Sequence, residues 1–513
     1  MKKTLLTLML PCALLSVKAQ EYLEIGTFWE GSSTIPVELI DSITFGESSA
    51  TYLLPWLMAE DDNIKLFNEA LQLTGLCDSL VDMYDDNFFY EEETVSGIYG
   101  IQSALALQKL RKGYTAFVET DAVYAAHGIH SIADLKTYAA KVYDEIYPED
   151  AAVSDPTDRR NSLNRFVAYH LLDRKGHKDN LTAAGIHNDR AGYVKETYCR
   201  DLIDIADWYE TMMPHSLLKC SSPAGLGKET VFINRRGLQD HADARGVLVE
   251  GAEIVNEAGY SCQGEAVNGY YHYINDIIAY DKQTQEVVLD EQIIVNNSTL
   301  SPELMNNRLR MDLAGNLSSD GEIFLPKGSL KNVQFNSENT RLYYLYNQSW
   351  SNMQTDEMMI LGLFDVTIKL PPLPAGTYEL NMGYSTSGFR GVVACWLDEE
   401  FVDTIDCRKY ANDVGWESDE NLQTPEAIAE NDSLLFEHGY RKGLDYCYVQ
   451  GSRLETQRDS QICLRRIITT FTTDGKSDHY LRFKNVCQAD DGREQFMMDY
   501  LELCPTHLLK EYE

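Results

Sequence analysis

The spacing of apolar residues divides the chain into a helical part followed by a part made of strands. Across residues 52–80, apolar side chains recur every three or four positions, and Gly75 stands where a helix would stop. A helical stretch through residues 104–107, a strand at residues 114–118 and an amphipathic helix at residues 161–172 come next. Short strands then replace the helices. Helices followed by strands predict an α+β fold for this part of the chain.

The second half of the chain is predicted to be an all-β antiparallel sandwich or jelly roll. Its strand-like segments are separated by turns rich in Gly, Pro and Asp. These segments are residues 341–346, 358–370, 376–384, 391–397, 462–472, 479–486 and 495–503. The charged stretch at residues 289–320 has the character of a connector. We therefore expect one domain at residues 50–288 and a second domain at residues 321–513.

The N-terminus has the pattern of a secretory signal peptide. Lys2 and Lys3 precede an apolar run over residues 5–17, and small residues stand just before Gln20. We expect residues 1–19 to be removed by cleavage before Gln20. The predicted destination of the mature chain is the cell surface, the periplasm or the medium, with association with an outer membrane as a further option.

Residues 20–49 alternate weakly and predict an extended lead-in to the first domain. Cys12 lies within the apolar run, so a lipid-anchored cysteine is an alternative to simple cleavage. No later apolar run is long enough to cross a bilayer, and we expect no integral membrane span after the signal is removed.

Composition narrows the classes of partner. The 513 residues exceed what one hydrophobic core usually serves, which predicts two large domains. The 80 acidic and 44 basic residues give a formal charge of −36, and nucleic acids and anionic lipids both require a basic face. We therefore expect no nucleic-acid partner. The acidic residues are explained by a solvated exterior, with cation binding as the alternative.

The cysteines leave two interpretations open. Removal of the signal peptide leaves an even number, as in disulfide-bonded exported proteins, and Cys395 and Cys407 could face each other across a hairpin. Free thiols are equally compatible with the sequence. The chain has no Cys-x-x-Cys pair and no His-Glu-x-x-His spacing, so a zinc site is not predicted.

A turn followed by a polar and aromatic strand is the most distinctive local pattern. Asn268 and Gly269 predict a tight turn, because both residue types tolerate positive φ. The residues that follow, up to Asp276, alternate as in a strand with one buried face, and they include His272.

Together with two earlier segments, this pattern resembles a fasciclin (FAS1) domain over about residues 50–285. Such domains carry a first box of the form Thr-x-Phe-x-Pro-Thr-Asp, a central Tyr-His pair and a second box of the form Asn-Gly-x-x-His. Glu119 stands where the family has proline, which predicts a less rigid turn. The matching residues are Thr115, Phe117, Thr120, Asp121, Tyr169, His170, Asn268, Gly269 and His272.

The resemblance implies adhesion or interaction rather than catalysis. In that family, Tyr169, His170 and the aliphatic residues around them would correspond to a contact surface. The alternative is an interior hydrogen-bonded pair that holds a helix to the sheet. His272 is open to the same two interpretations.

The second half is similar to the galactose-binding-like sandwiches of carbohydrate-binding modules. Residues 365–380, 479–483 and 496–503 resemble three recurring strands of those sandwiches. With residues 302–307 and 370–374, they resemble the second domain of exported fasciclin proteins from Gram-negative surfaces. This resemblance implies glycan binding.

Contact with a sugar requires aromatic rings beside hydrogen-bonding groups. Trp350, Tyr410 and Trp416 lie in predicted loops or strand ends and are candidates, although such residues also serve packing. Trp396 alternates within a strand and is predicted to lie in the core. Asp499 and Glu502 are candidate ligands of a structural calcium ion, the alternative being solvated strand ends.

Catalysis is not predicted. The chain has no Gly-x-Ser-x-Gly elbow, phosphate-binding loop or dinucleotide fingerprint, and so many carboxylates leave a glycosidase pair undefined. Apart from calcium, no cofactor is expected. The sequence favours a cell-surface or secreted adhesion protein that binds a surface protein or a glycan. The alternative is a carbohydrate-active enzyme or an accessory subunit of a glycan-uptake complex.

Overall fold

The structure is a computed structural model. The chain divides into two units, Met1–Thr51 and Tyr52–Glu513. The described residues are 13–18, 22–27, 31–36, 52–98, 103–182, 205–222, 230–237, 246–257, 260–309, 320–347, 352–353, 356–444, 447–450, 453–487 and 495–509.

The first unit contains three strands that pair as an antiparallel meander. They are β1 (Ala13–Lys18), β2 (Tyr22–Thr27) and β3 (Gly31–Pro36). The predicted signal peptide includes β1, while the predicted extended lead-in contains β2 and β3. Residues 1–12 lie outside the described residues.

The second unit combines helices with several sheets. Its strands are β4 (Thr94–Ser96), β5 (Ser103–Ala106), β6 (Tyr114–Glu119), β7 (Leu171–Leu172), β8 (Ile205–Glu210), β9 (Leu217–Ser222), β10 (Phe232–Ile233), β11 (Ala252–Glu253), β12 (Gly264–Ala266), β13 (Gly269–Ile274), β14 (Ile293–Asn296), β15 (Asp320–Leu325), β16 (Val333–Phe335), β17 (Arg341–Asn347), β18 (Asp356–Leu361), β19 (Asp365–Lys369), β20 (Gly376–Ser385), β21 (Val392–Leu397), β22 (Glu400–Asp406), β23 (Tyr440–Lys442), β24 (Cys447–Gln450), β25 (Arg453–Thr456), β26 (Cys463–Thr473), β27 (Tyr480–Asn485), β28 (Phe496–Met498) and β29 (Tyr500–Pro505). Its α-helices are Leu54–Ala59, Lys65–Leu73, Asp121–Ala126, Ile132–Ile146, Ser162–Tyr169, Asn297–Leu300, Pro302–Asn306, Asp419–Leu422 and Pro425–Glu437. Shorter 3₁₀ or π turns occupy Leu76–Leu80, Pro148–Asp150, Lys178–Asn180, Thr284–Val288, Ala411–Val414 and Thr506–Leu508.

The helix Lys65–Leu73 shows why the apolar spacing predicted helices here. Leu66, Phe67, Ala70 and Leu71 form one buried face, as a period of 3.6 residues requires. The helix ends at Leu73, and Gly75 follows its C-cap with a φ of +67°, which is favourable for glycine and unfavourable for other residues. The predicted stop at this glycine is confirmed.

Two four-stranded sheets lie in the first half of the unit, and the helices Leu54–Ala59, Asp121–Ala126 and Ser162–Tyr169 contact the first of them. One sheet has the order β12-β13-β6-β7, and the other has the order β11-β10-β9-β8. The helices Ser162–Tyr169 and Ile132–Ile146 pack against each other, and the first of them also contacts Lys65–Leu73. The expected mixture of helices and short-stranded sheets is present.

Three larger sheets form the second half of the unit, with the orders β28-β18-β17-β15-β5-β4, β16-β19-β27-β21-β22 and β14-β29-β20-β26-β23. Aromatic contacts join two of them, because Phe496 of β28 lies 4.6 Å, centroid to centroid, from Phe483 of β27. Apart from one parallel pair, β5 with β15, the strand pairs within these sheets are antiparallel. The antiparallel sheets predicted for this half of the chain are present.

The predicted domain boundaries differ from the structure. Strands β4 and β5 belong to the predicted first domain by sequence, yet β5 pairs with β15 of the second. Strand β14 lies in the predicted connector, residues 289–320, and pairs with β29 along its whole length. Boundaries at residues 288 and 320 therefore do not separate two bodies, since strands from both sides share sheets.

The helical stretch predicted through residues 104–107 is wrong. Ser103–Ala106 is strand β5, in which Ala104 is buried while its two neighbours are exposed. The local preference of alanine and leucine for helix is outweighed by pairing with β4 and β15.

The two cysteines proposed to face each other do not do so. Cys395 lies opposite Asp403 in the β21–β22 pair, whereas the N–H of Cys407 donates to the carbonyl of Gly391. Both thiols are buried and free.

Candidate functional site

The three FAS1-like segments meet in one sheet. Strand β6, which carries the first box, runs parallel to β13, which carries the second, with Tyr114 opposite Gly269 and Glu119 opposite Ile274. On its other side, β6 pairs with β7, the two residues that follow the Tyr-His pair. Segments far apart in sequence therefore form one continuous structure.

His170 is held by hydrogen bonds on both ring nitrogens. It ends the helix Ser162–Tyr169, and its Nδ1 donates to the carbonyl of Phe166 at 2.7 Å. Its Nε2 shares a 2.8 Å hydrogen bond with Oε1 of Glu119, and both side chains are fully buried. Inside the folded protein, His170 has no surface to offer to a partner.

Glu119 anchors more than the histidine. Its Oε2 accepts a hydrogen bond from the hydroxyl of Tyr124 at 2.8 Å, and its Oε1 also accepts the backbone N–H of Ile278 at 3.3 Å. Burial, and then the charge of Glu119, raise the pKa of Tyr124 well above its ordinary value, so its hydroxyl remains a donor. Where the family has a turn-forming proline, this chain has a buried carboxylate that gathers three elements.

Tyr169 lies inside on the opposite side of the helix end. Its hydroxyl donates to the carbonyl of Leu217 at 3.0 Å and accepts from Nδ2 of Asn234 at 2.9 Å. Its ring lies 5.5 Å from that of Tyr280. Tyr169 thus links the helix to the second four-stranded sheet.

His272 is buried and likewise bonded through both nitrogens. Nε2 donates to the carbonyl of Gly176 at 2.8 Å, and Nδ1 accepts from Nδ2 of Asn256 at 3.1 Å. Its ring stacks on Phe117 of the neighbouring strand at 5.7 Å. The histidine of the second box therefore closes the sheet onto the segment after β7.

The remaining first-box residues bond to the backbone. The hydroxyl of Thr115 donates to the carbonyl of Arg174 at 2.6 Å and accepts the N–H of Gly176 at 2.7 Å. Thr120 caps the helix Asp121–Ala126, and Oδ1 of Asp121 accepts the N–H of Leu66 at 3.0 Å. Each polar group thus fixes a chain end or a loop.

Asn268 and Gly269 serve a different purpose from the predicted one. The two-residue hairpin loop is Val267 and Asn268, because Ala266 pairs with Gly269, and neither loop residue has positive φ. Gly269 is required by space, since a Cβ there would lie 2.5 Å from the carbonyl oxygen of Tyr114. The turn therefore depends on close approach of two strands rather than on left-handed backbone.

The side chain of Asn268 saturates three backbone groups. Its Oδ1 accepts the N–H of Leu54 at 2.9 Å, and its Nδ2 donates to the carbonyls of Leu80 at 2.8 Å and Asp82 at 3.1 Å. It is buried. Asn268 ties the start of the first helix to the hairpin.

The candidate sugar-contact residues differ in how far their rings are exposed. Trp416 is buried, and its indole N–H donates to the carbonyl of Arg458 at 3.2 Å, so its ring faces are not available. Tyr410 is 45% exposed, and its hydroxyl accepts the N–H of Gly388. Trp350 lies outside the described residues. Trp396, predicted to be core, is half-buried on the outer side of β21, which corrects that prediction.

The two candidate calcium ligands lie in separate networks. Asp499 is buried and accepts the N–H of Met353 through both oxygens, at 2.9 and 3.0 Å. Glu502 receives Nη1 of Arg465 at 2.8 and 3.0 Å. Among the described residues, no group of three or more His, Cys, Asp or Glu side chains is arranged to hold a metal ion. Protein donors thus bond to both of these candidate calcium ligands.

Sequence reasoning named Glu119 and Trp396 but missed the roles that the structure gives them. Glu119 is a charged residue after Phe117 and Val118, and a charge in an apolar strand signals a buried partner. Trp396 shares its outer face with Arg482, its direct neighbour on β27. Only the strand register, which the sequence does not give, shows that neighbour.

Comparison with known proteins gives limited similarity. No family model and no curated protein matches the chain. The chain is similar to a FAS1 domain pair from the insect cell adhesion molecule fasciclin I, with a TM-score of 0.23, 9% identity, and coverage of 53% of this chain and 68% of that chain. It is also similar to a Paenibacillus xanthan lyase, with a TM-score of 0.23, 8% identity, and coverage of 56% of this chain and 20% of that chain. The matched region is thus a small part of the lyase, and likeness at this level does not extend to activity.

Among the described helices, none combines the length and the apolar character needed to span a membrane.

Proposed function

We propose that this protein is an exported surface protein that binds a glycan through its β-sandwich, with the FAS1-like part as its adhesion module. The observation that carries the proposal is the convergence of the three FAS1-like segments as neighbouring strands β13, β6 and β7. The polar side chains of these segments make hydrogen bonds inside the fold and hold this sheet to its neighbours. Binding is therefore assigned to the outer surfaces, and the protein is proposed to act without catalysis.

The N-terminal sequence supports export. Lys2, Lys3 and the apolar run that follows have the charge and length of a signal peptide. N-terminal sequencing of the chain recovered from its host is expected to begin at Gln20, in a surface or extracellular fraction. A chain that begins at Met1 and stays in the cytosol contradicts export.

The binding proposal is tested with the whole chain on a glycan array and in affinity gels. The whole chain is required because β4, β5 and β14, which lie before residue 320 in sequence, complete sheets of the sandwich. We expect retention by at least one glycan, while an unrelated acidic protein of similar net charge passes freely. Failure of every glycan to retain the chain contradicts glycan binding, and release of reducing sugar from a polysaccharide contradicts the non-catalytic role.

A further inference from the structure

One face of the sheet β16-β19-β27-β21-β22 is open to solvent. Along β27, Leu481 and Phe483 are fully buried, whereas Tyr480 and Arg482 on the alternate positions are exposed or half-buried. Strand alternation therefore places one set in the core and the other outside. We call the outside set the outer face, defined by Thr367, Trp396, Phe401, Tyr480 and Arg482.

The strand register aligns most of the outer face in a single row. Thr367 lies opposite Arg482, Arg482 lies opposite Trp396, and Trp396 lies opposite Phe401. Gln334 on β16 continues the row beyond Thr367. The row thus crosses all five strands, a distance of about 19 Å at the usual strand spacing of about 4.8 Å.

Aromatic rings occupy one end of the row. Phe401, at the end of the row, is 60% exposed, and Tyr480, two residues along β27 from Arg482, is 43% exposed. The ring of Trp396 lies 5.7 Å from that of Phe401, at an interplanar angle of 71°. Two rings at this angle form a corner. A flat ligand can lie on one ring of such a corner with its edge against the other ring.

Fixed hydrogen-bonding groups occupy the other end. Arg482 binds Asp365 as a fork, with Nε 2.7 Å from Oδ1 and Nη2 2.5 Å from Oδ2, and its guanidinium carbon lies 4.9 Å from the centre of the Trp396 ring. Asn336 donates to Asp365 at 3.1 Å and to Thr367 at 2.9 Å. The fork leaves Nη1 on its far side. Groups held in place in this way lose little conformational entropy when they bind a ligand.

The charges on this face are paired. Arg482 and Lys484 both lie within 4 Å of Asp365, and Lys369 lies 3.1 Å from Asp478. Burial raises the pKa of Asp365, but the hydrogen bonds from Arg482 and Asn336 outweigh it and keep that pKa below its ordinary value. The chain as a whole carries −36, which repels polyanions. A neutral ligand fits this surface best.

The mixture of groups favours a sugar over a protein. A stable protein interface buries about 800 Å² on each partner around an apolar centre. Here the ring of Trp396 has Phe401 on one side and the guanidinium of Arg482 beside it. A sugar ring has an apolar C–H face and a rim of hydroxyls, and it is bound by a combination of aromatic rings and polar groups.

We infer that the outer face binds a neutral polysaccharide chain that lies across the strands, with its sugar rings against Phe401 and Trp396 and its hydroxyl oxygens accepting from Arg482. The inference rests on the proposed function, because it names the surface and the class of glycan. It places the site on the sheet rather than on the loops around Tyr410.

The test is affinity electrophoresis of the full chain in gels that contain laminarin, glucomannan, xylan, mannan or soluble starch, with alginate as the acidic comparison. The variants are Trp396→Ala, Phe401→Ser and Arg482→Lys, and Tyr410→Ala is the matched loss of an exposed ring elsewhere. We expect at least one neutral polysaccharide to retard the wild-type chain and Tyr410→Ala equally. Trp396→Ala and Phe401→Ser should weaken its binding at least about tenfold, as central aromatic contacts do.

Phe401 is exposed, so Phe401→Ser keeps the fold and decides the question if Trp396→Ala fails to fold, as judged by circular dichroism. Equal retardation of the wild type and all outer-face variants overturns this site while the proposed function stands. The same holds if only Tyr410→Ala loses retardation, or if only alginate retards the chain. Absence of retardation in every gel overturns both the site and glycan binding.

Discussion

Oε1 of Glu119 lies 2.8 Å from Nε2 of His170, and neither side chain is reached by solvent. This contact joins the first FAS1-like box to the central Tyr-His pair. Because Glu119 also accepts from Tyr124 and from the N–H of Ile278, one side chain bonds to a helix, to the end of another helix and to a loop.

Removal of this carboxylate should destabilise the protein strongly. Glu119→Ala leaves buried groups of His170, Tyr124 and Ile278 without their acceptor, and we expect a loss of about 3 kcal/mol or more in the free energy of unfolding. Glu119→Gln keeps one acceptor oxygen and should cost less. Urea unfolding followed by circular dichroism measures both, with Glu69→Ala on the exposed face of a helix as control. Equal stability of Glu119→Ala and the control contradicts the anchoring role.

The close approach at Gly269 leads to a second prediction. Gly269→Ala places a Cβ 2.5 Å from the backbone oxygen of Tyr114, so β13 and β6 must separate. Overpacking of this kind costs about 1–3 kcal/mol. In Gly388→Ala, the new Cβ lies 3.6 Å from the hydroxyl oxygen of Tyr410, which is an ordinary contact. Thermal unfolding should show a lower Tm for the first variant alone, and matching Tm values would refute the steric account.

Asp499 predicts a pH dependence of stability. Burial raises its pKa well above the ordinary value of 3.8, and Asp356 and Glu357 add to the effect. Between the unfolded and the folded pKa, the folded chain holds a proton that the unfolded chain has released. The stability that Asp499 contributes is therefore complete below about pH 4 and is lost as the pH rises through the folded pKa.

Asp499→Asn keeps an acceptor for the N–H of Met353 but does not titrate. Relative to this variant, the wild type should lose about 1.4 kcal/mol per pH unit within that window. Urea unfolding of both proteins from pH 4 to pH 8 measures the gap, and Glu69→Gln serves as the exposed control. A gap that stays constant over this range would show that Asp499 titrates normally.

The shared sheets predict that the sandwich does not fold alone. A fragment of residues 321–513 lacks β14, so β29 becomes an exposed edge that carries Leu501 and Leu503. It also lacks β5, the neighbour of β15. We expect this fragment to aggregate or to melt without a cooperative transition, whereas residues 52–513 should melt cooperatively. A sharp transition in the short fragment would contradict this interdependence.

The sequence predicted those strands that have a clear local signal. Segments such as 341–346 and 376–384 match β17 and β20 closely, because short runs of apolar and aromatic residues between turn residues are typical of buried strands. The sequence did not predict the structure of a segment that pairs with a strand far away in the chain. Nothing local to residues 103–106 indicates β15 as their partner, and alanine and leucine favour helix.

The two tryptophans show the same division at the candidate site. Alternation in β21 placed Trp396 correctly in a strand but could not tell which side of that strand the rest of the protein covers. A loop position likewise suggested exposure for Trp416, whereas the segment around Arg458 covers it. Burial of a given side chain depends on packing between segments, and the local sequence pattern does not predict that packing.

The pairing of Leu105 with Ile323 also sets the order in which the protein can be completed. During synthesis, β4 and β5 emerge long before β15 exists, and their sheet stays unfinished until the C-terminal half has been made. Contacts between residues so far apart in sequence slow folding, and unpaired strands are open to aggregation in the meantime. If the chain crosses a membrane unfolded and folds only after the last strand has crossed, β4 and β5 do not form an unfinished sheet before β15 is present.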